Sequence, residues 1–146
     1  MPQWRQAKQA ADLLRLKLLP LDIRSREDVD AAFATARKRA DALLVLDCGL
    51  FNALGTAVML QSRIPAMYYL IEYAEAGGLM SYGRDLHEST GRSALYVDRI
   101  LRGSTPGELP IEQPTKFELV INMKTAKALG LTIPQSVLRR ADEVIQ

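Results

Sequence analysis

Residues 42–46, Ala-Leu-Leu-Val-Leu, form an unbroken apolar run closed by Asp47-Cys48-Gly49. A strand with one wet face alternates polar and apolar residues, and an amphipathic helix spaces its apolar residues by three and four. A continuous short run therefore predicts a parallel strand covered on both faces. Such a strand needs helices around it, and the flanking residues supply them. Ser25 stands at an N-cap position with Asp28 three residues on, a variant of the capping box near the positive helix end. Val29, Ala32, Phe33, Ala36 and Ala40 follow as one buried stripe, with the helix ending near Arg39. Beyond the strand, Phe51, Leu54, Val58 and Met59 mark a third helix ahead of Ile64-Pro65.

The same alternation runs through the chain. Trp4, Ala7, Ala11, Leu14 and Leu18 place one apolar stripe on an opening helix, and 18–23 reads as a short strand. Residues 66–71 read as a strand, 72–76 as a turn of helix, and Gly77-Gly78 as a reset into 79–82. A long helix is expected over 86–102, with Ala94, Val97 and Leu101 inside and Gly103 just past its end. Residues 103–114 carry three prolines and two glycines and form a crossover, because proline lacks the N–H that a central strand must donate. Phe117, Leu119 and Ile121 give 116–122 one apolar face, as a strand. A helix over 125–129 stops at Gly130, and Pro134 opens a last helix carrying Val137, Leu138, Ala141, Val144 and Ile145. The expected fold class is α/β, a layered, mainly parallel sheet flanked by helices. Residues 1–103 form the α/β lobe, and 104–146 form a crossover, strand and helices packing on the same or a partner lobe.

Composition excludes several functions. The 146 residues are 48% hydrophobic and 25% charged, the mix of one globular core. Nineteen basic and seventeen acidic side chains are interspersed, so no extended positive field favours nucleic acid. One cysteine, Cys48, and one histidine, His87, allow neither an internal disulfide nor metal-ligand spacing. No apolar run of about 18 residues exists to span a membrane. Gly-x-Gly-x-x-Gly, Gly-x-x-x-x-Gly-Lys-Ser/Thr and Gly-x-Ser-x-Gly are all missing, so no nucleotide cofactor and no serine triad are expected. His87 beside Glu88 reads as a surface residue, and the chain is not read as an enzyme.

Several segments together carry a resemblance. They are Gly77-Gly78-Leu79-Met80-Ser81-Tyr82-Gly83, the run 110–122 (Pro-Ile-Glu-Gln-Pro-Thr-Lys-Phe-Glu-Leu-Val-Ile-Asn), and the following Met-Lys-Thr-Ala-Lys-Ala-Leu-Gly-Leu. With Ala-Asp-Ala-Leu-Leu-Val-Leu at 40–46 and Ile64-Pro65-Ala66, the chain resembles ABC transporter solute-binding proteins that include aromatic amino-acid binders. The resemblance covers the second lobe and tail of such a protein. It implies a flavodoxin-like lobe of a type I periplasmic binding protein, a small-molecule solute, an ABC permease as partner and an extracytoplasmic setting. The export signal of the relatives has no counterpart at the start of this sequence. It also implies that the strand usually preceding the first helix is lacking, which would leave a central gap of about twice the 4.8 Å strand spacing. The expectation is that 116–122 fills it, exchanged between two copies of a homodimer across the proline-rich arm. A remnant that binds no ligand and serves only as an interaction surface is the alternative.

Candidate binding residues follow from the rule that open α/β sheets bind ligands outside the carboxyl ends of their strands. That places Asp47, Phe51, Asn52, Tyr69, Glu72, Tyr73 and Tyr82 at the site, the aromatic rings stacking on a planar solute and Asp47, Asn52 or Glu72 fixing its polar ends. Other readings stand beside these. Asp47 is a turn former, Phe51 the first core residue of its helix, Glu72 a solvated helix start, and Tyr68 and Tyr82 buried strand residues. The resemblance implies an Asp-Pro-Leu-Phe-like run where Cys48-Gly49-Leu50-Phe51 stands, and an Arg-Glu pair where Ile71-Glu72 stands.

Overall fold

The computed structural model describes residues 2–54, 63–84, 86–112 and 116–146. In chain order the elements are α1 (Pro2–Leu14), α2 (Glu27–Arg39), β1 (Leu43–Leu44), α3 (Gly49–Leu54), β2 (Ala66–Tyr68), α4 (Ile71–Glu75) and β3 (Met80–Arg84). They continue with α5 (Leu86–Leu101), a 3₁₀ turn (Pro106–Glu108), β4 (Phe117–Asn122), α6 (Met123–Ala128), α7 (Gln135–Leu138) and β5 (Glu143–Ile145). Val58 and Met59, expected on the third helix, lie outside the described residues, as does Pro114 of the crossover.

The five strands form one sheet in the order β1-β2-β3-β4-β5. The β1–β2, β2–β3 and β4–β5 pairs are parallel and β3–β4 is antiparallel, so the sheet is α/β and mainly parallel, as expected. The core lies where α2 covers β1 and β2. Val29 and Phe33 of the helix meet Val45, Ala66, Tyr68 and Tyr73, all buried, with Ile23 and Leu43 packed against them. Helix α2 matches its macrodipole at both ends, with Glu27, Asp28 and Asp30 in the first turn and Arg37, Lys38 and Arg39 in the last. The Asp28 carboxylate accepts from the backbone N–H groups of Arg24 (2.9 Å) and Ser25 (3.0 Å), the back-reaching half of the expected capping box.

Two glycines fix how α4 sits on the sheet. A Cβ on Gly83 would fall 1.9 Å from the Tyr69 carbonyl oxygen, and one on Gly78 would fall 2.6 Å from the Tyr73 carbonyl oxygen and 2.8 Å from the Tyr68 ring. Only glycine permits both approaches. Gly77, at φ 112°, turns the chain out of α4 into β3.

The structure corrects four expectations. Residues 18–23 are not a strand; no described strand lies beyond β1 to pair with them, and backbone without a ladder partner has no reason to extend. The last helix stops at Leu138, after which 143–145 leave it to pair with β4 as β5, because Asn122, Ile121 and Val120 offer a free ladder edge. The stripes of α1 and α5 find no covering layer among the described residues: only Ala11 of the first is buried, Leu14 is 68% exposed, Ala94 is exposed and Leu101 is 81% exposed. The tail strand fills no central gap. It docks within its own chain beside β3, pairing Met80 with Ile121 through to Arg84 with Phe117, so its hydrogen bonds are met without exchange between copies.

Asn122 locks that docking. Its Oδ1 accepts from the Thr125 N–H at the start of α6 (3.0 Å), and its Nδ2 donates to the Ala74 carbonyl (3.0 Å), while the Thr125 hydroxyl donates to the Gly77 carbonyl (2.8 Å). Asn122→Ala removes an N-cap and one of two hydrogen bonds to the buried Ala74 carbonyl, which keeps the Gly77 N–H, so it is expected to cost about 1–3 kcal/mol, measured by urea unfolding. A loss below about 0.5 kcal/mol would show that the clamp is dispensable.

Acid stability offers a second measurement. The backbone N–H of Arg24, then that of Ser25, hold the Asp28 carboxyl below its ordinary 3.8. A carboxylate lowered by folding contributes stability that is complete above its ordinary value and is lost as pH falls through the folded value. The melting temperature of the native chain is therefore expected to fall below pH 3.8 more steeply than that of Asp28→Ala.

Candidate functional site

The carboxyl ends of β1 and β2 bring three of the expected residues together. The ladder runs one step past β1, with the Val45 N–H donating to the Met67 carbonyl at 2.9 Å, and the chain then passes through exposed Asp47 and half-buried Cys48 into α3. Beyond β2, Tyr69 and Leu70 lead into α4. The Tyr73 ring stacks on Tyr68 with centroids 4.8 Å apart and planes 4° apart, and meets Tyr69 at 5.6 Å and 53°. The Tyr73 hydroxyl lies 3.5 Å from that of Tyr69 and donates to the Phe51 carbonyl at 3.4 Å. Phe51, Tyr69 and Tyr73 thus form one cluster on the rim of the core. Tyr73 and Tyr68 are both 2% exposed and act as its floor, whereas Tyr69 and Phe51 are half-buried and form its open side.

Asp47 belongs to the same corner. The Tyr69 hydroxyl is pushed well above its ordinary value of 10.0, by burial first, then by the Tyr73 hydroxyl and the negative charge of Asp47, with Cys48 adding a smaller part. The phenol is therefore a neutral group able to donate or accept throughout the physiological range. The side chain of Asn52 lies outside the described residues.

Glu72 and Tyr82 stand elsewhere. Exposed Glu72 lines a cleft of about 220 Å³ with Ile71, Glu75, Ser81, Gly83, Arg84 and Glu118. Ser81 and Gly83 share one face of β3, where the Tyr69 carbonyl oxygen takes the place a Cβ on Gly83 would need. Ser81 is 1% exposed and its hydroxyl has no hydrogen-bond partner among the described residues. Glu118 is paired with Lys116 at 2.6 Å. Tyr82, 53% exposed, is not buried in the core; it stacks on Phe117 with centroids 5.9 Å apart. Ser81, Glu75, Arg84 and Glu118 escape sequence reading because tertiary proximity joins them. The one local signal is the Ser-x-Gly alternation of 81–83 after the double glycine.

Among the described residues no set of three His, Cys, Asp or Glu side chains is placed to hold a metal ion, and no helix is long and apolar enough to cross a membrane. The arrangement suits non-covalent binding, with aromatic faces, a neutral phenol and carboxylates beside a small open cleft.

A model of the ABC transporter substrate binding protein family matches residues 1–145. This chain belongs to that family. Similar solved structures agree. A conserved domain protein from Vibrio cholerae O1 biovar eltor is 27% identical, with a TM-score of 0.87, over 98% of this chain and 49% of that one. An ABC domain from Streptococcus pneumoniae, solved in complex with L-Trp, is 26% identical with a TM-score of 0.86, over 99% of this chain and 50% of that one. The ligand-free, open substrate-binding protein CD0873 from Clostridium difficile shares the fold, at 18% identity and a TM-score of 0.61. No curated protein matches. The chain thus spans about half the length of these solved structures.

In this chain the phenol of Tyr69 gives a spectroscopic handle. A tyrosine raised by folding contributes stability that is complete below its ordinary value of 10.0 and is lost as pH rises above it. Ultraviolet titration is expected to show a late tyrosine ionisation, and Tyr69→Phe is expected to remove that late step. Survival of the late step in the variant would assign it to another ring.

Proposed function

We propose that the chain is a solute-binding lobe of the ABC-transporter type that presents one wall of a cleft to an aromatic small molecule. The observation that carries the reading is the corner at the carboxyl ends of β1 and β2. There half-buried Phe51 and Tyr69 stand over the Tyr68–Tyr73 stack, with the charge of Asp47 beside them. A planar solute stacks on such faces, while the Tyr69 hydroxyl and Asp47 supply polar fixing points. The L-Trp held by the Streptococcus pneumoniae neighbour supports an aromatic solute. The reading takes the facing wall from a second copy of the chain in a homodimer, and by kinship it hands the solute to an ABC permease.

A thermal-shift screen against L-tryptophan, L-phenylalanine, L-tyrosine and indole-3-acetate tests it. One solute at 100 times its dissociation constant is expected to stabilise the fold by about 2.7 kcal/mol. Tyr69→Ala is expected to weaken that solute at least tenfold, about 1.4 kcal/mol. A flat response to the whole panel favours the ligand-free interaction surface instead. Light scattering with and without solute tests the second copy, and a monomer that still binds at micromolar concentration rules it out.

A further inference from the structure

Helix α1 carries apolar side chains and cations, and the chain itself uses few of either. From residue 3 to residue 14 only Ala11 is buried and Ala7 half-buried, so most of the helix circumference is open. Leu13 and Leu14 stand three and four residues after Ala10 and share a side with it, whereas Arg5, Lys8 and Asp12, spaced by three and four, share another. At the end of the helix Arg15, at φ 56°, turns the chain back. Its N–H donates to the Asp12 carbonyl (3.3 Å) and the Leu16 N–H to the Ala11 carbonyl (2.8 Å), which holds Leu16 at the last turn with Leu13 and Leu14. All three leucines are more than half exposed, and Trp4 at the other end of the helix is exposed too.

The charges select the occupant. Over residues 4–17, Arg5, Lys8, Arg15 and Lys17 stand against the single carboxylate of Asp12, and none of the four cations has an ion-pair partner among the described residues. Helix α5 differs: its apolar residues are as exposed, but Arg92 is held on Glu112 and Arg102 on Asp98. A second copy of the chain would bring the same four cations to the contact, and like charges oppose docking. An anionic bilayer surface meets both demands at once, because leucines and an indole settle at the boundary between headgroups and acyl chains while cations meet the lipid phosphates. With 13 residues α1 is too short to span the hydrocarbon, so it would lie in the plane of the surface.

We propose that α1 is a membrane-surface helix, seating the chain on anionic lipid through its exposed leucines and its four unpaired cations. The inference is independent of solute binding, which uses other residues.

Trp4 is the single tryptophan of the chain, so its emission reports on α1 alone. The full chain is expected to float with vesicles of equimolar phosphatidylcholine and phosphatidylglycerol and to shift Trp4 emission to shorter wavelength. Vesicles of phosphatidylcholine alone are expected to do neither, and raised salt is expected to reverse both effects. The double variants Leu13→Gln/Leu14→Gln and Arg5→Gln/Lys8→Gln are each expected to weaken vesicle binding about tenfold. All four side chains are exposed, so the melting temperature is expected to stay level, which separates lost binding from lost folding. Failure to float with the anionic vesicles, equal binding to both vesicle types, or binding that both double variants retain overturns the proposal. A Trp4 shift that grows with protein concentration in the absence of lipid assigns α1 to a second copy and overturns it as well.

Discussion

The antiparallel ladder between β3 and β4 is the contact on which the rest of this lobe depends. It is the longest pairing in the sheet, five residues against the two of β1–β2, and it joins the parallel half formed by β1, β2 and β3 to the tail formed by β4 and β5. Without it, Val120 and Ile121, which are fully buried, would face water, and β5 would have no neighbour. A bare ladder is free to slip, and a one-residue slip would turn Ile121 outward. Asn122 prevents this by tying the strand end to Ala74 and Thr125 at once, so that register and the position of α4 are set together.

The same economy shapes the tyrosine corner. Gly78 and Gly83 let the Tyr73 and Tyr69 carbonyls press against the strand, which brings the tyrosine rings to stacking distance. A larger residue at position 83 would therefore drive the Tyr69 backbone away from the strand.

Much of this was readable from residues alone, for identifiable reasons. The stripe of α2 and the Asp28 bonds are local signals, and local signals survive folding, whereas the run at 42–46, expected to be covered on both faces, forms a strand only at Leu43–Leu44 and is covered on one face, with Leu44 54% exposed. The double glycine at 77–78 marked the turn into β3 for the same reason. Failures came where a neighbour decides the outcome. Residues 18–23 have strand composition but no ladder partner, and 143–145 continue a helical pattern yet take the edge that β4 offers. At the candidate site the strand-end rule gathered Asp47, Phe51, Tyr69 and Tyr73 correctly in space, since order along the sheet follows from β/α alternation. It could not separate Glu72 from them, because which side of a short helix faces a cleft depends on β3 and β4. Nor could it find Ser81, whose significance lies in a missing partner.

The exposed apolar residues lie apart from the tyrosine corner. Leu13, Leu14 and Leu16 at the end of α1, and Leu95, Val97, Ile100 and Leu101 on α5, are large side chains left in water. Contiguous patches of this kind are uncommon on self-sufficient domains and mark surfaces that pack against something. None of these residues lines the acidic cleft or the tyrosine corner. The crossover is fastened along α5 by the Arg92–Glu112 ion pair and the Tyr96 hydroxyl on the Pro110 carbonyl, yet Ile111 between them stays exposed. A small solute seated at the strand ends would leave these stripes as they are, so covering them takes a larger surface. The burial of α1 and α5 is thus a demand separate from the tyrosine corner, on other faces of the chain.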